Sequence, residues 1–360
     1  MKILILMKGS SAGLSGADHM AIQTAELLSK NKDLEVYFAY AQSHNGGQVK
    51  LSKESKFKLI TLPINTQEAI EVILQLNPDV IHLFDLVDYD YTTLALELAL
   101  KGRTLIVTPA TEHSLWEDKE LGLQLCDKAK VIFALTLEEK AYLESFLNHS
   151  KNKVKMLPHA AYLPVQSDVD FRQKHNLDEE TPIVLFLGRK LETKGYKLIL
   201  ESMEEIWTTI PNAVFVFIGP RTDLSIQNFM KYKIEGRVLE LGIVSEEEKV
   251  GALKACNLLC LPSTVDVFPI VYLEAWNFSK PVIGALFPGV ENVIKHNIDG
   301  LIIEPTLENI TSALKKLLLD KKLSYSLGVN GRTRVLQEHS LESIGKQLVS
   351  TYFDCLERRV

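Results

Sequence analysis

The chain has 360 residues, with 46 acidic against 40 basic side chains for a formal net charge of −6, and 46% of its residues are hydrophobic. At roughly 100–200 residues per domain that length predicts two domains, each able to bury a core. Lys and Arg are scattered rather than gathered into a basic stripe, which argues against a nucleic-acid surface. No apolar run approaches the ~20 residues a membrane-crossing helix needs, and the apolar Met1–Met7 stretch is too short for a secretion signal. Cys126, Cys256, Cys260 and Cys355 complete no zinc pattern and read as free thiols of a reducing compartment. The expected location is the cytoplasm, with peripheral contact at the inner face of a membrane left open.

In chain order, Ile3–Met7 reads as a strand, followed by the Gly/Ser loop Lys8–Gly16 and a helical stripe through Met20, Ile22, Ala25 and Leu28. Strands follow at Leu34–Tyr40 and Phe57–Leu62, then a helix near Gln67–Gln75, a strand at Val80–Leu83, the helical Tyr91–Leu100, and strands at Leu105–Thr108, Val131–Leu135 and Val154–Leu157. The stretch Pro158–Asn176, polar and carrying Pro158 and Pro164, is the best linker. Beyond it, Ile183–Leu187, Val214–Ile218, Val238–Leu241, Leu258–Leu261, Val282–Ala285 and Leu301–Ile303 are continuous apolar runs, as strands covered on both faces should be. After Leu307 the pattern is helical to the end, with Gly331 as the expected break.

Strands alternating with helices predict an α/β fold of parallel, doubly wound sheets. The expected division is 1–163 and 164–340, each Rossmann-like, with 341–360 a helix packing back on the first. Ligands of such sheets sit outside the carboxyl ends of the strands, so the loops that follow strands hold the chemistry.

Two of these loops stand out. Gly188-Arg189-Lys190-Leu191-Glu192-Thr193-Lys194-Gly195 carries a guanidinium and an ammonium five residues apart, able to meet one anion, although such a loop also serves as a solvated charged turn. In the second, Pro262 to Pro269 leads into a helix. Pro269 fits the first helical position, the N–H groups of Ile270 and Val271 then offer an anion site, and Asp266 and Glu274 could line one pocket. The competing reading is that Asp266 caps the helix and Glu274 pairs with a Lys.

Together these loops resemble the retaining glycosyltransferases of family four, which have the GT-B fold of two Rossmann-like domains facing across a cleft, and the resemblance covers nearly the whole chain. It implies that Arg189 and Lys194 bind the donor diphosphate, and that Asp266 and Glu274 stand in a Glu-x7-Glu motif for the donor sugar and the ribose. It implies too that Gly242, Ile243 and Val244 contact the base, and that Phe268, Ile270 and Val271 complete the nucleotide-sugar site. Pro288-Gly289-Val290-Glu291 and Asp299-Gly300-Leu301 match later family loops. In the first half, Gly13-Leu14-Ser15-Gly16-Ala17-Asp18 is similar to the family's glycine loop, with Gly16 approaching the donor. Pro78-Asp79-Val80-Ile81-His82 is similar to one of its strands, and His113 matches a histidine that touches the donor sugar.

The first domain would then hold the acceptor and the second the nucleotide sugar. Four positions depart from the pattern: Asp266 replaces the first Glu, Val267 a common Gly, His159-Ala160 an Asn-Gly pair, and Ser279 a frequent Gly. The implied activity is retaining transfer of a sugar from a UDP- or GDP-type donor to a hydroxyl of a glycan, glycolipid or other acceptor. The catalytic residues would be His113, Arg189, Lys194 and Asp266, and neither metal nor cofactor is expected. The departures keep an alternative open, a catalytically weak partner subunit that binds nucleotide sugar. A phosphorylase on the same fold would need a lysine-bound pyridoxal group, for which no site stands out.

Overall fold

A computed structural model describes residues 1–8, 15–41, 56–147, 151–161, 166–232 and 236–357. Gly13 and Leu14 of the first loop and Pro164 of the linker lie outside them. The chain divides into two compact units, Met1–His159 with Leu341–Val360, and Ala160–Ser340.

In the first unit the strands are β1 (Lys2–Met7), β2 (Glu35–Ala41), β3 (Lys58–Leu62), β4 (Val80–Phe84), β5 (Leu105–Thr108), β6 (Val131–Ala134) and β7 (Val154–Met156). They form one parallel sheet in the order β3-β2-β1-β4-β5-β6-β7. Ile3 to Leu6 are fully buried, as the unbroken apolar run requires when helices cover both faces. The helices between strands begin at side-chain caps. Asn65, Asp88, Asp118 and Thr136 each accept a backbone N–H of the first turn, which fixes where the chain leaves the sheet. Leu341–Glu357 is a helix of this unit. Its Tyr352 is fully buried, and the Tyr352 hydroxyl and His82 Nδ1 in β4 share a hydrogen bond.

The second unit contains β8 (Ile183–Leu187), β9 (Val214–Ile218), β10 (Val238–Gly242), β11 (Leu258–Leu261), β12 (Val282–Ala285) and β13 (Gly300–Ile303). Their parallel order is β10-β9-β8-β11-β12-β13. The chain winds outward from β8 through β9 to β10, then crosses back to lay β11 on the other side of β8. The strand order therefore reverses between β8 and β11, and ligands of doubly wound sheets bind at such a reversal.

Two local expectations fail. Gly331 does not break the C-terminal helices: it lies within Lys321–Glu338, and the breaks fall at Asp320 and at His339–Ser340. Its role is close packing, since a Cβ there would come within 2.0 Å of the Trp276 ring. Pro269 is the N-cap and not the first helical residue, because the helix runs Ile270–Asn277.

Candidate nucleotide-sugar site

The two loops singled out in the sequence leave the adjacent strands β8 and β11, so the strand reversal sets them side by side. They are joined by backbone: the Thr264 N–H donates to the Thr193 carbonyl at 2.8 Å. Gly195, which opens the helix Tyr196–Thr209, has φ +76°, and a Cβ there would stand 2.3 Å from the Pro262 carbonyl oxygen. Only a residue without a side chain permits both the left-handed backbone and that approach.

The charges follow. Lys194 Nζ donates to Asp266 Oδ2 at 2.6 Å and to the Val265 carbonyl at 3.4 Å, so the lysine of one loop pairs with the carboxylate of the other. Asp266 does not cap the helix: its N-cap, Pro269, makes no side-chain cap hydrogen bond, and the first-turn N–H groups of Ile270 and Val271 meet no acceptor among the described residues. Arg189 is exposed and, among the described residues, has no ion pair or side-chain hydrogen bond. Phe268 is buried, its ring edge-on to His339 at 5.6 Å.

Glu274 is only 4% exposed. Its Oε1 accepts a hydrogen bond from Lys249 Nζ at 3.0 Å, as the competing reading of that residue expected, while its buried Oε2 has no hydrogen-bond partner among the described residues. Lys249 also faces Glu246 Oε2 at 2.7 Å. Burial works against the lysine's charge, but the carboxylates of Glu274 and Glu246 outweigh it and push its pKa up to about 12.

The segment after β10 is held from below. Gly242 has φ +67°, Ile243 is exposed and Val244 half-buried. Glu240 Oε1 accepts from the Gly242 N–H at 3.2 Å and pairs with Lys190 Nζ at 2.7 Å, while its Oε2 accepts from Arg221 Nε at 2.5 Å. Lys190 is fully buried and also donates to the Gly219 carbonyl at 2.5 Å; burial lowers its pKa against the pull of Glu240. A lysine from the Arg189 loop thus anchors the Gly242 segment. Sequence reasoning passed over Lys190, Glu240 and Lys249. The signal was there for Glu240, an acidic residue in the middle of the apolar run Val238–Leu241.

In the first unit, β1 and β4 border the corresponding reversal. Ser15 caps the helix Gly16–Leu28 in a reciprocal box with Asp18. Nothing described lies within 4 Å of where a Cβ on Gly16 would be. His113, in a short turn after β5, stacks on the Tyr142 ring at 3.6 Å and pairs through Nδ1 with Glu112 at 2.9 Å. Desolvation lowers its pKa, opposed by Glu112. Asp85, at the end of β4, was also missed. It is half-buried with φ +71°, takes hydrogen bonds from Thr111 and the Val87 N–H, and burial pushes its pKa up to about 6.

The family model for glycosyl transferases group 1 matches residues 168–334, nearly the whole second unit. The match takes in a little under half of the chain, and it is this second unit that is similar to the group 1 glycosyl transferases. Alpha-D-kanosaminyltransferase of Streptomyces kanamyceticus is 27% identical over 51% of this chain and 48% of its own. The matches span about half the length of such curated relatives. Sucrose-phosphate synthase from Thermosynechococcus elongatus superposes with a TM-score of 0.83 at 19% identity, covering 99% of this chain and 100% of the other. Anabaena HepE in complex with UDP-glucose gives 0.80 at 17%, covering 98% and 100%. The chain has the GT-B fold. Among its described residues no group of three or more His, Cys, Asp or Glu is placed to hold a metal ion, all four cysteines are buried and none forms a disulfide, and no helix is long and apolar enough to cross a membrane.

Proposed function

We propose that the chain transfers a glycosyl group from a nucleoside diphosphate sugar, of UDP or GDP type, to a hydroxyl acceptor with retention of anomeric configuration. The observation that carries this reading is the pairing of Lys194 with Asp266 across two loops that the strand reversal of a group 1 domain sets side by side. The HepE complex with UDP-glucose supports the donor class.

In this reading the diphosphate meets Arg189, Lys194 and the N–H groups of Ile270 and Val271. Lys194 has one ammonium and two claimants. A diphosphate that engages it loosens the Lys194–Asp266 pair and leaves the Asp266 carboxylate beside the donor sugar, where positive character grows as the glycosidic bond breaks. Charge then builds on the departing diphosphate against donors already in place; each such donor contributes on the order of 2.7–4 kcal/mol to lowering a barrier. Glu274 accepts hydrogen bonds from the ribose hydroxyls, and Gly242 to Val244 meet the base. No covalent carboxylate nucleophile takes part, and the leaving phosphate assists removal of the acceptor's proton. The first unit supplies the acceptor site, and His113 and Gly16 are the residues of that unit assigned to the reaction in this reading. Acceptors of this reading are glycan, glycolipid or cell-envelope precursor hydroxyls.

The test is incubation with a panel of labelled UDP- and GDP-sugars, with and without EDTA. Transfer or slow donor hydrolysis that survives EDTA, with product of unchanged anomeric configuration by NMR, is the expected result. Activity lost in EDTA and restored by manganese overturns the metal-independent mechanism. Binding without turnover for every donor overturns the enzymatic reading.

A further inference from the structure

Glu274 is a buried carboxylate, and its only cationic partner among the described residues is Lys249. The two reach each other from helices that begin at different site loops. Lys249 lies in Glu246–Ala255, which Ser245 caps directly after the Gly242–Val244 segment. Glu274 lies in Ile270–Asn277, directly after the Asp266 loop. One ammonium serves two carboxylates there, and they differ in exposure, Glu246 at 35% of its side chain and Glu274 at 5%. The pair leaves Glu274 Oε1 occupied and Oε2 buried without a partner. A buried oxygen in that condition is costly unless a donor meets it.

We propose that Lys249 is a positioning residue for nucleotide recognition. By holding one oxygen of Glu274 it fixes the orientation of the carboxylate and turns the other oxygen to the vicinal hydroxyls of the donor's ribose. The inference rests on the ribose role of Glu274 given above. Without the ammonium the carboxylate is no longer held by its Oε1 and turns away from this position, which removes an acceptor for the two hydroxyls. The diphosphate contacts at Arg189 and Lys194 do not depend on Lys249, so the loss falls on ribose discrimination alone.

The experiment is calorimetric titration of the full chain with UDP and GDP, with their 2′,3′-dideoxy counterparts, and with inorganic pyrophosphate. The wild type is expected to bind the better ribonucleotide at least tenfold more tightly than its dideoxy form, and Glu274→Gln to cut that ratio below threefold. Lys249→Met is expected to do the same while pyrophosphate affinity stays within twofold, and Lys249→Arg to keep more than half of the ratio. A Lys249→Met ratio within twofold of wild type overturns the proposal while leaving the ribose role of Glu274 standing. Should that variant not fold, Lys249→Gln, a neutral donor of similar reach, is read by the same criterion. If the wild type does not discriminate, or Glu274→Gln retains the ratio, the reading of Glu274 fails and the inference with it.

Discussion

Gly195 and Gly236 share a φ of +76° in the same unit, yet differ in their surroundings. No described atom lies within 4 Å of a Cβ built on Gly236. On Gly195 it would meet the Pro262 carbonyl oxygen at 2.3 Å and Pro262 Cγ at 2.6 Å. Alanine at Gly236 therefore incurs only left-handed strain, about 1–2 kcal/mol, less the 0.4–1 kcal/mol gained by stiffening the unfolded chain. Alanine at Gly195 incurs the same plus the cost of forcing apart two packed backbone segments, about 1–3 kcal/mol. The difference, about 1–3 kcal/mol, isolates the close approach of the two site loops. Urea unfolding of both variants, followed by tryptophan fluorescence, measures it. Because the displacement also moves Thr193 from Thr264, Gly195→Ala should weaken UDP or GDP binding while Gly236→Ala leaves it unchanged. Equal destabilisation by the two substitutions would refute the argument that contact between the β8 and β11 loops demands this glycine.

Acid sensitivity should trace to His82, which is fully buried between Tyr352 and Thr108 and whose burial lowers its pKa from 6.5 to about 3. The unfolded histidine takes up a proton near pH 6.5 that the folded one refuses, so stability is complete above that pH and is lost as pH falls toward 3, at about 1.4 kcal/mol per unit. Hence the stability gap between wild type and His82→Asn should narrow by about 2 kcal/mol between pH 7 and pH 5 in denaturant titrations, and a pH-independent gap would count against it. Arg189→Ala and Lys194→Ala should each lower turnover by at least about 100-fold, the equivalent of one lost transition-state donor, while melting temperature hardly changes; normal kinetics in either would mark the loop as a solvated turn. Asp266→Glu restores the side chain usual in the family and should shift donor preference among UDP- and GDP-sugars, whereas Asp266→Asn should lower kcat more than it raises KM for donor. Matching donor profiles together with an unimpaired Asn variant would remove Asp266 from the reaction.

The parallel architecture was legible in the sequence because its signal is local. Runs such as Ile183–Leu187 and Val214–Ile218 are apolar throughout and match the observed strands β8 and β9, since a strand covered on both faces needs no polar alternation. The loop motifs were legible for a related reason. Gly188 to Gly195 is a run of residues close in sequence, so its glycines and charges stand out without any knowledge of the strand order.

What could not be read were pairings between segments far apart in the chain, because no period or spacing encodes them. The order of strands brings β8 beside β11, and only that neighbourhood joins Lys194 to Asp266, 72 residues away. Burial likewise turned Lys190 from one more charge in a polar loop into the anchor of Glu240, 50 positions on, and Lys249 into the partner of Glu274. Gly331 shows the same limit from the other side. A lone glycine in a helical pattern signals a break by propensity, yet here it makes room for Trp276, 55 residues earlier. Sequence determined which elements form and where their loops turn. Tertiary structure decided which charges meet, because an ion pair depends on distance and burial in three dimensions and on neither alone in one.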